Sequence, residues 1–276
     1  MGYNKLKEYG KGFAQLLRKP TTIDKADIPE VFHSFLGNAS VFDSSCSKAA
    51  QVWFLDKGPG YFLKKAPKGT LQKEAVMTDF FHSKQLAPEV ISYESLSDDW
   101  MLTIRAKGED CTDFMYANDP KRLCDTTAHL LRMLHETDTV GCPVADRTKD
   151  YLVTARENFR LGRYDIQLFP DNWGYATPED AYRELEENGK YLNTDTLLHG
   201  DYCLPNIMLN HWQFSAFIDL DTAGVGDKHV DLFWGIWSLQ FNLKTDRYRN
   251  RFLDAYGREN VCEDIFRTVA AAEVFS

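Results

Sequence analysis

The sequence predicts an α+β protein of two lobes, a smaller and mostly β lobe over residues 1–105 and a larger, mostly α lobe over residues 106–276. Three observations carry that expectation. At 276 residues the chain exceeds the usual size of one compact domain, which calls for one large or two smaller lobes. Short β-like runs crowd its first third, separated by polar and glycine-containing turns. Beyond Gly108 the pattern changes to capped stretches with apolar residues at helical spacing.

In chain order, Leu6, Tyr9, Phe13, Leu16 and Leu17 fall near helical spacing and predict an N-terminal helix over 3–17 on the first lobe. Val31–Leu36 and Gln51–Ala66 read as short β-like runs, with Asp56-Lys57-Gly58-Pro59-Gly60 as a turn. Thr70–Lys84 reads as a helix carrying Glu74 in its first turns. Val90–Tyr93 and Met101–Ile104 read as strands around a polar turn, Ser97-Asp98-Asp99, and Arg105-Ala106-Lys107-Gly108 as the hinge where the lobes meet. Asp119 then caps a helix with Pro120 in its first position, and Leu123, Thr127, Leu130, Leu131 and Leu134 make one apolar stripe. His135, at its end, reads as a last-turn residue suited to the helix dipole. Tyr151–Phe159 forms another helix, Thr177-Pro178-Glu179-Asp180 opens one that stops at Gly189, and Leu232–Phe241, Tyr248–Tyr256 and Asp264–Phe275 complete the set.

Composition excludes several classes. With 43% hydrophobic and 26% charged residues the chain reads as an ordinary soluble globular protein. Its longest apolar run, Leu232–Trp237, is too short to span a membrane. The opening Met-Gly-Tyr-Asn-Lys-Leu-Lys has no apolar signal region, and Leu6 stands where an acylation signal needs Ser or Thr, so a cytoplasmic location is expected. Cysteines 46, 111, 124, 142, 203 and 262 show no Cys-x-x-Cys spacing, which argues against zinc and against a disulfide framework. A formal net charge of −9 argues against nucleic acid or an anionic membrane as partner. It suits a polycationic small molecule.

The chemistry concentrates between Leu197 and Asp231. Leu197-Leu198 delivers His199-Gly200-Asp201 onto a loop, Asn206 follows five residues after Asp201, and a hairpin through Asn210–Gln213 returns the chain to Phe217-Ile218-Asp219. Alone, either aspartate reads as a turn or cap residue, and His199 as a structural loop histidine. Together they make the donor set of phosphoryl transfer: an aspartate for the attacking hydroxyl, with an asparagine and a second aspartate as hard oxygen ligands for Mg²⁺. A strand lysine to hold the phosphates and a helix carboxylate to fix it are needed too. Glu74 supplies the second. Lys64 and Lys65 both qualify as the first, and alternation puts them on opposite faces that the sequence cannot orient.

The run His-Gly-Asp-Tyr-Cys-Leu-Pro-Asn-Ile, followed by Phe-Ile-Asp-Leu-Asp and Gly-Asp-Lys-His-Val-Asp-Leu, resembles the aminoglycoside phosphotransferases, most of all the branch acting on the 3′-hydroxyl. The resemblance implies a bilobal protein-kinase-like fold and transfer of the terminal phosphate of ATP or GTP, with Mg²⁺, to a hydroxyl of a cationic aminoglycoside. It makes Asp201 the catalytic aspartate, Asn206 and Asp219 the magnesium ligands, and Lys64 with Glu74 the phosphate grip. It places the loop over the phosphates at about Ser45–Ala50, including Ser47, and the adenine edge against Arg105 and Ala106. Asp171 and Asn172 match an insert that faces the polyamine, and Glu273 and Phe275 match an acidic-aromatic carboxyl end that binds substrate. No obligate protein partner is implied.

Departures bear on the substrate. Thr222 stands where the family has an arginine, Phe241-Asn242 where it commonly has adjacent acidic residues, and Ala272-Glu273 where it has Asp-Glu. A narrower or weaker aminoglycoside range is therefore expected. The alternatives are a kinase of the same fold acting on another alcohol, such as a sugar, a choline-like compound or a macrolide, and a nucleotide-binding pseudokinase. Retention of Asp201 argues against the last, because binding alone needs no transfer aspartate.

Overall fold

Two strands with alternating side chains, Gln51–Asp56 and Tyr61–Pro67, lie at the centre of an antiparallel sheet. The computed structural model describes residues 19–46, 49–166 and 174–276, so the helix expected over 3–17 lies outside the described residues. The described chain divides into two compact units, one comprising 19–109 with 208–221 and the other 110–207 with 222–276.

In the first unit the strands are β1 (Lys19–Pro20), β2 (Ser40–Asp43), β3 (Gln51–Asp56), β4 (Tyr61–Pro67), β5 (Val90–Ser95) and β6 (Asp98–Ile104), in the order β1-β2-β3-β4-β6-β5. Every neighbouring pair is antiparallel. Leu55, Leu63, Trp100 and Leu102 cover one face and pack with Ile28, Phe32 and Leu36. Ala66 and Met101 cover the other and pack with Leu71 and Ala75, where helix α1 (Gln72–Ser83) begins.

The register pairs Lys64 with Met101 and Lys65 with Trp100. Lys64 therefore points to the face that carries α1, and Lys65 to the opposite one.

Two expectations fail here. Val31–Leu36 is not a strand: Glu30–Phe32 is a 3₁₀ turn and His33–Leu36 a single helical turn. The buried residues Ile28, Phe32 and Leu36 recur every fourth position, which is helical spacing, and that period determines the packing. Asp98 and Asp99 are not a turn but the first residues of β6. Asp99 is fully buried, because its carboxylate accepts Leu71 N at 2.9 Å and Ser95 Oγ at 2.7 Å.

The hairpin of Ile207–Asn210 and Gln213–Phe217 turns as the sequence predicts. His211 and Trp212 at its tip have φ of 50° and 68°, the pair of positive values that a tight two-residue turn requires. Phe217 N donates to Leu86 O at 2.7 Å, tying the second strand to the chain that follows α1.

The second unit is mostly helical. Its longer helices are α2 (Pro120–His135), α3 (Arg147–Arg160), α4 (Pro178–Asn188), α5 (His229–Leu243), α6 (Arg249–Tyr256) and α7 (Glu263–Glu273). Caps explain several starts. The Asp119 carboxylate accepts Arg122 N at 3.2 Å, Asp146 accepts Lys149 N at 2.9 Å, and Thr177 Oγ1 accepts Asp180 N at 3.1 Å. Eleven of the fifteen residues of α5 are buried, which makes it the central helix of this unit. Gly235 lets it approach α6, since a Cβ there would lie 2.8 Å from Phe252 Cζ. A short strand β7 (Thr196–Leu198) pairs antiparallel with β8 (Gly224–Gly226) and delivers the chain to His199. Among the described residues no helix is long and apolar enough to cross a membrane.

Candidate active site

Lys64, Glu74 and Asp219 form a charged cluster in the sheet-containing unit. Lys64 Nζ donates to both Glu74 carboxylate oxygens, at 2.8 and 2.7 Å, and to Asp219 Oδ1 at 3.2 Å. Lys65 is engaged elsewhere, paired with Asp98 at 3.2 Å with its ammonium 5.0 Å from the Trp100 ring centre. Burial opposes the Lys64 charge, but Asp219 and Glu74 outweigh it and hold the ammonium above the ordinary lysine range. Burial pushes the Glu74 carboxyl up to about 7, with Lys64 pulling in the opposite direction.

Asp219 differs from Glu74 in two ways. Its side chain is 56% exposed, whereas that of Glu74 is 5% exposed. Its backbone has φ 58°, a left-handed conformation uncommon outside glycine and asparagine. A carboxylate that stays more than half exposed while paired with Lys64 is chemically suited to hold a cation.

In the helical unit Asp201 and Asn206 are both buried, at 3% exposure. A 3₁₀ turn over Leu204–Asn206 brings the asparagine back so that its Nδ2 donates to Asp201 O at 3.0 Å and Asp201 Oδ2 at 3.2 Å. With its nitrogen facing Asp201, the amide oxygen is the atom that Asn206 can present to a metal. Gly200 precedes Asp201 at φ 80°, and a Cβ there would come within 2.1 Å of Thr222 O, so no other residue fits. Asp231, fully buried, accepts His199 N and Gly200 N at 2.7 Å each. His199 is itself fully buried within the loop, its Nδ1 facing Asp201 N at 3.4 Å. Arg147 Nε donates to Thr222 O at 2.9 Å, putting a guanidinium beside the position where the expected arginine is missing.

The remaining candidates have partners of their own or lie outside the described residues. Ser47, Asp171 and Asn172 lie outside the described residues. Arg105 and Ala106 follow β6 outside any strand; Arg105 pairs with Glu109 at 3.4 Å, and its guanidinium lies 5.6 Å from the Phe54 ring centre. Glu273 and Phe275 face inward. The Glu273 carboxylate accepts Tyr151 Oη at 2.7 Å, Trp234 Nε1 at 3.1 Å and Ser276 Oγ at 2.6 Å, and burial raises it above the usual carboxylate range. Phe275 is fully buried, edge-on to Phe159, Tyr164 and Tyr182. Where acidic residues are expected on α5, Phe241 stacks on Trp237 at 4.9 Å and Lys244 lies 4.1 Å above it.

Three supporting residues escaped the sequence reading. Asp99 caps the chain entering α1 and so sets the position of Glu74. Asp231 fastens the Asp201 loop. His135 sits in the last turn of α2 as expected, and its Nε2 also lies 3.2 Å from Asp231 Oδ2. Only the apolar setting of Asp231, between Val230 and Leu232 in a helical stretch, could have flagged a buried carboxylate.

A sheet whose lysine is gripped by a helix carboxylate, together with a helical unit carrying an Asp-x₄-Asn loop, defines a small-molecule kinase of protein-kinase-like fold. The model of the phosphotransferase enzyme family matches residues 44–268, and the chain belongs to that family. It is 46% identical over 258 residues to a probable aminoglycoside 3′-phosphotransferase of Lactococcus lactis subsp. lactis (strain IL1403), covering 93% of this chain and 98% of the relative. With the aminoglycoside 3′-phosphotransferase of Niallia circulans it shares 29% identity over 215 residues, 76% of this chain and 82% of the relative. Among solved structures, an aminoglycoside-3′-phosphotransferase of type VIII superposes with a TM-score of 0.73 at 21% identity, over 91% of this chain and 96% of that one. That likeness bears on the fold.

Proposed function

We propose that this chain transfers the terminal phosphate of ATP to a hydroxyl of an aminoglycoside antibiotic, the 3′-hydroxyl of a kanamycin-like acceptor. The observation that carries the reading is the 46% identity to the Lactococcus relative over nearly the whole of both chains. The Lys64–Glu74–Asp219 cluster and the anchored Asp201 loop support it.

The roles follow from the chemistry of each group. Asp201 orients the acceptor hydroxyl and receives its proton. Lys64, kept charged by its two carboxylates, holds the α- and β-phosphates. The Asn206 amide oxygen and the exposed Asp219 carboxylate fit Mg²⁺, which takes hard oxygen ligands and usually few of them from protein. When bound, the ion neutralises phosphate charge. Arg105 and Ala106 offer backbone groups to the adenine edge, and the family resemblance assigns Ser47 to covering the phosphates. Asp171 and Asn172 meet the amines of the acceptor. Glu273 and Phe275, sealed inward, shape the substrate wall through the carboxyl-terminal segment. The Trp237–Phe241 stack with Lys244 above it favours fewer amine contacts, hence a narrower range. The enzyme acts in the cytoplasm, without an obligate protein partner.

A coupled nucleotide-consumption assay over a panel of aminoglycosides and neutral alcohols tests the reading. Turnover with kanamycin-like compounds above the water background is expected. Turnover with a neutral alcohol alone would replace this reading with a kinase for that alcohol, and nucleotide binding with no turnover on any acceptor would leave a pseudokinase.

A further inference from the structure

The Asp201 loop is fastened to a carboxylate that is itself held from behind. Asp231 Oδ2 accepts His199 N at 2.7 Å and also faces His135 Nε2 at 3.2 Å. A carboxylate oxygen only accepts, so Nε2 must carry a hydrogen. In the neutral ring Nδ1 is then an acceptor, and Tyr256 Oη lies 2.9 Å from it. The Tyr256 ring stands edge-on to His135, with centroids 5.6 Å apart. Burial pushes the Tyr256 phenol above its ordinary value, so it stays a protonated donor.

Packing alone does not call for this relay. Tyr256 is 2% exposed and the His135 side chain 3% exposed, where a phenylalanine and a leucine would fill similar space without polar atoms to satisfy. The chain instead runs hydroxyl, imidazole and carboxylate from the end of α6, through the end of α2, to the two amides that precede Asp201. The loop has little freedom to absorb an error in that chain, since Gly200 already abuts Thr222 O.

We propose that His135 and Tyr256 are positioning residues for phosphoryl transfer. Tyr256 fixes the tautomer and ring plane of His135, His135 fixes Asp231, and Asp231 sets the backbone that aims Asp201 at the acceptor hydroxyl. The catalytic part of this inference rests on the function proposed above; the mechanical part does not.

The test uses Tyr256→Phe, which removes one hydroxyl and keeps the ring, with Tyr248→Phe, at the residue just before the same helix, as a control that loses a hydroxyl bonded to Arg247. Amide hydrogen exchange over residues 199–201 should accelerate in Tyr256→Phe and not in the control, at an unchanged denaturation midpoint. With an aminoglycoside acceptor, kcat should fall by about tenfold to a hundredfold while KM for ATP stays put. His135→Gln, whose amide can still donate to Asp231, should keep more turnover than His135→Leu, and it replaces Tyr256→Phe if that variant does not fold. Unchanged exchange and unchanged kcat alongside a lowered melting temperature would overturn the proposal and leave the pair structural. A wild-type enzyme inactive on every aminoglycoside would defeat the functional reading, while the exchange comparison would still decide this one.

Discussion

The two halves of the donor set are held by opposite means. Lys64, Glu74 and Asp219 are joined side chain to side chain by charge, and one member, Asp219, is more than half exposed. Asp201 and Asn206 are buried; the Asp201 loop is held through the amides of His199 and Gly200 on the enclosed Asp231, and Asn206 through its side-chain amide on Asp201. A grip built from side-chain charges responds to pH, and its exposed member, Asp219, to salt. A loop fixed by its own amides keeps one direction for one carboxylate, which is what proton acceptance from a hydroxyl demands. On the proposed roles, the contrast separates a holding function from an aiming one.

Asp201→Ala should break the aiming half most severely. Turnover is expected to drop by roughly 10² to 10⁴ while nucleotide affinity holds, as measured by kcat and by nucleotide titration. Near-normal turnover would remove Asp201 from the chemistry. On the holding half, Lys64→Met should raise KM for ATP by about tenfold to a hundredfold, the effect of losing a charged contact of about 1.5–3 kcal/mol.

The two metal candidates sharpen the comparison. Asp219→Ala and Asn206→Ala should each raise the Mg²⁺ concentration needed for half-maximal rate, Asp219→Ala more, because a charged ligand is lost from a divalent ion. Identical Mg²⁺ titrations for wild type and both variants would dismiss them as ligands.

The pH response should distinguish the halves further. Glu74 carries its charge above about 7 and gains a proton as pH falls through that value, so Lys64 then loses one of its two carboxylates. KM for ATP should therefore rise on the acid side of neutrality, and Glu74→Gln should abolish that rise. An acid limb that persists in Glu74→Gln would assign it to another group. The smallest effect is expected at Asp99→Ala, which removes the cap from the chain entering α1. A stability loss of about 1 kcal/mol, read from denaturant unfolding, should accompany a slight rise in KM for ATP.

The spacing of His199, Gly200, Asp201, Asn206 and Asp219 was legible in the sequence because those residues share one short stretch. The helix over Pro120–His135 was legible for the same reason: its cap, its proline and its apolar stripe all lie within sixteen residues. The 3₁₀ and helical turns over Glu30–Leu36 were not, because four-residue spacing from Ile28 acquires meaning only against Leu55, Leu63 and Leu102 of the sheet. Neither was the choice between Lys64 and Lys65 on residue chemistry alone. Alternation says that they face apart, but which face carries α1 depends on the register with β6 and on Asp99 capping the chain 28 residues away.

Glu273 makes the same point in reverse. As a sequence position it matches a substrate-binding acid by resemblance; in the fold Tyr151, Trp234 and Ser276 enclose it, and those partners come from three separate segments. The chain by itself thus determined the donor inventory and the elements that carry it, since both follow from neighbours in sequence. Which lysine meets Glu74, what anchors Asp201, and whether a carboxylate faces solvent or the interior were decided only by tertiary packing. Burial and hydrogen-bond partners are set by residues distant in the chain, and no local pattern encodes them.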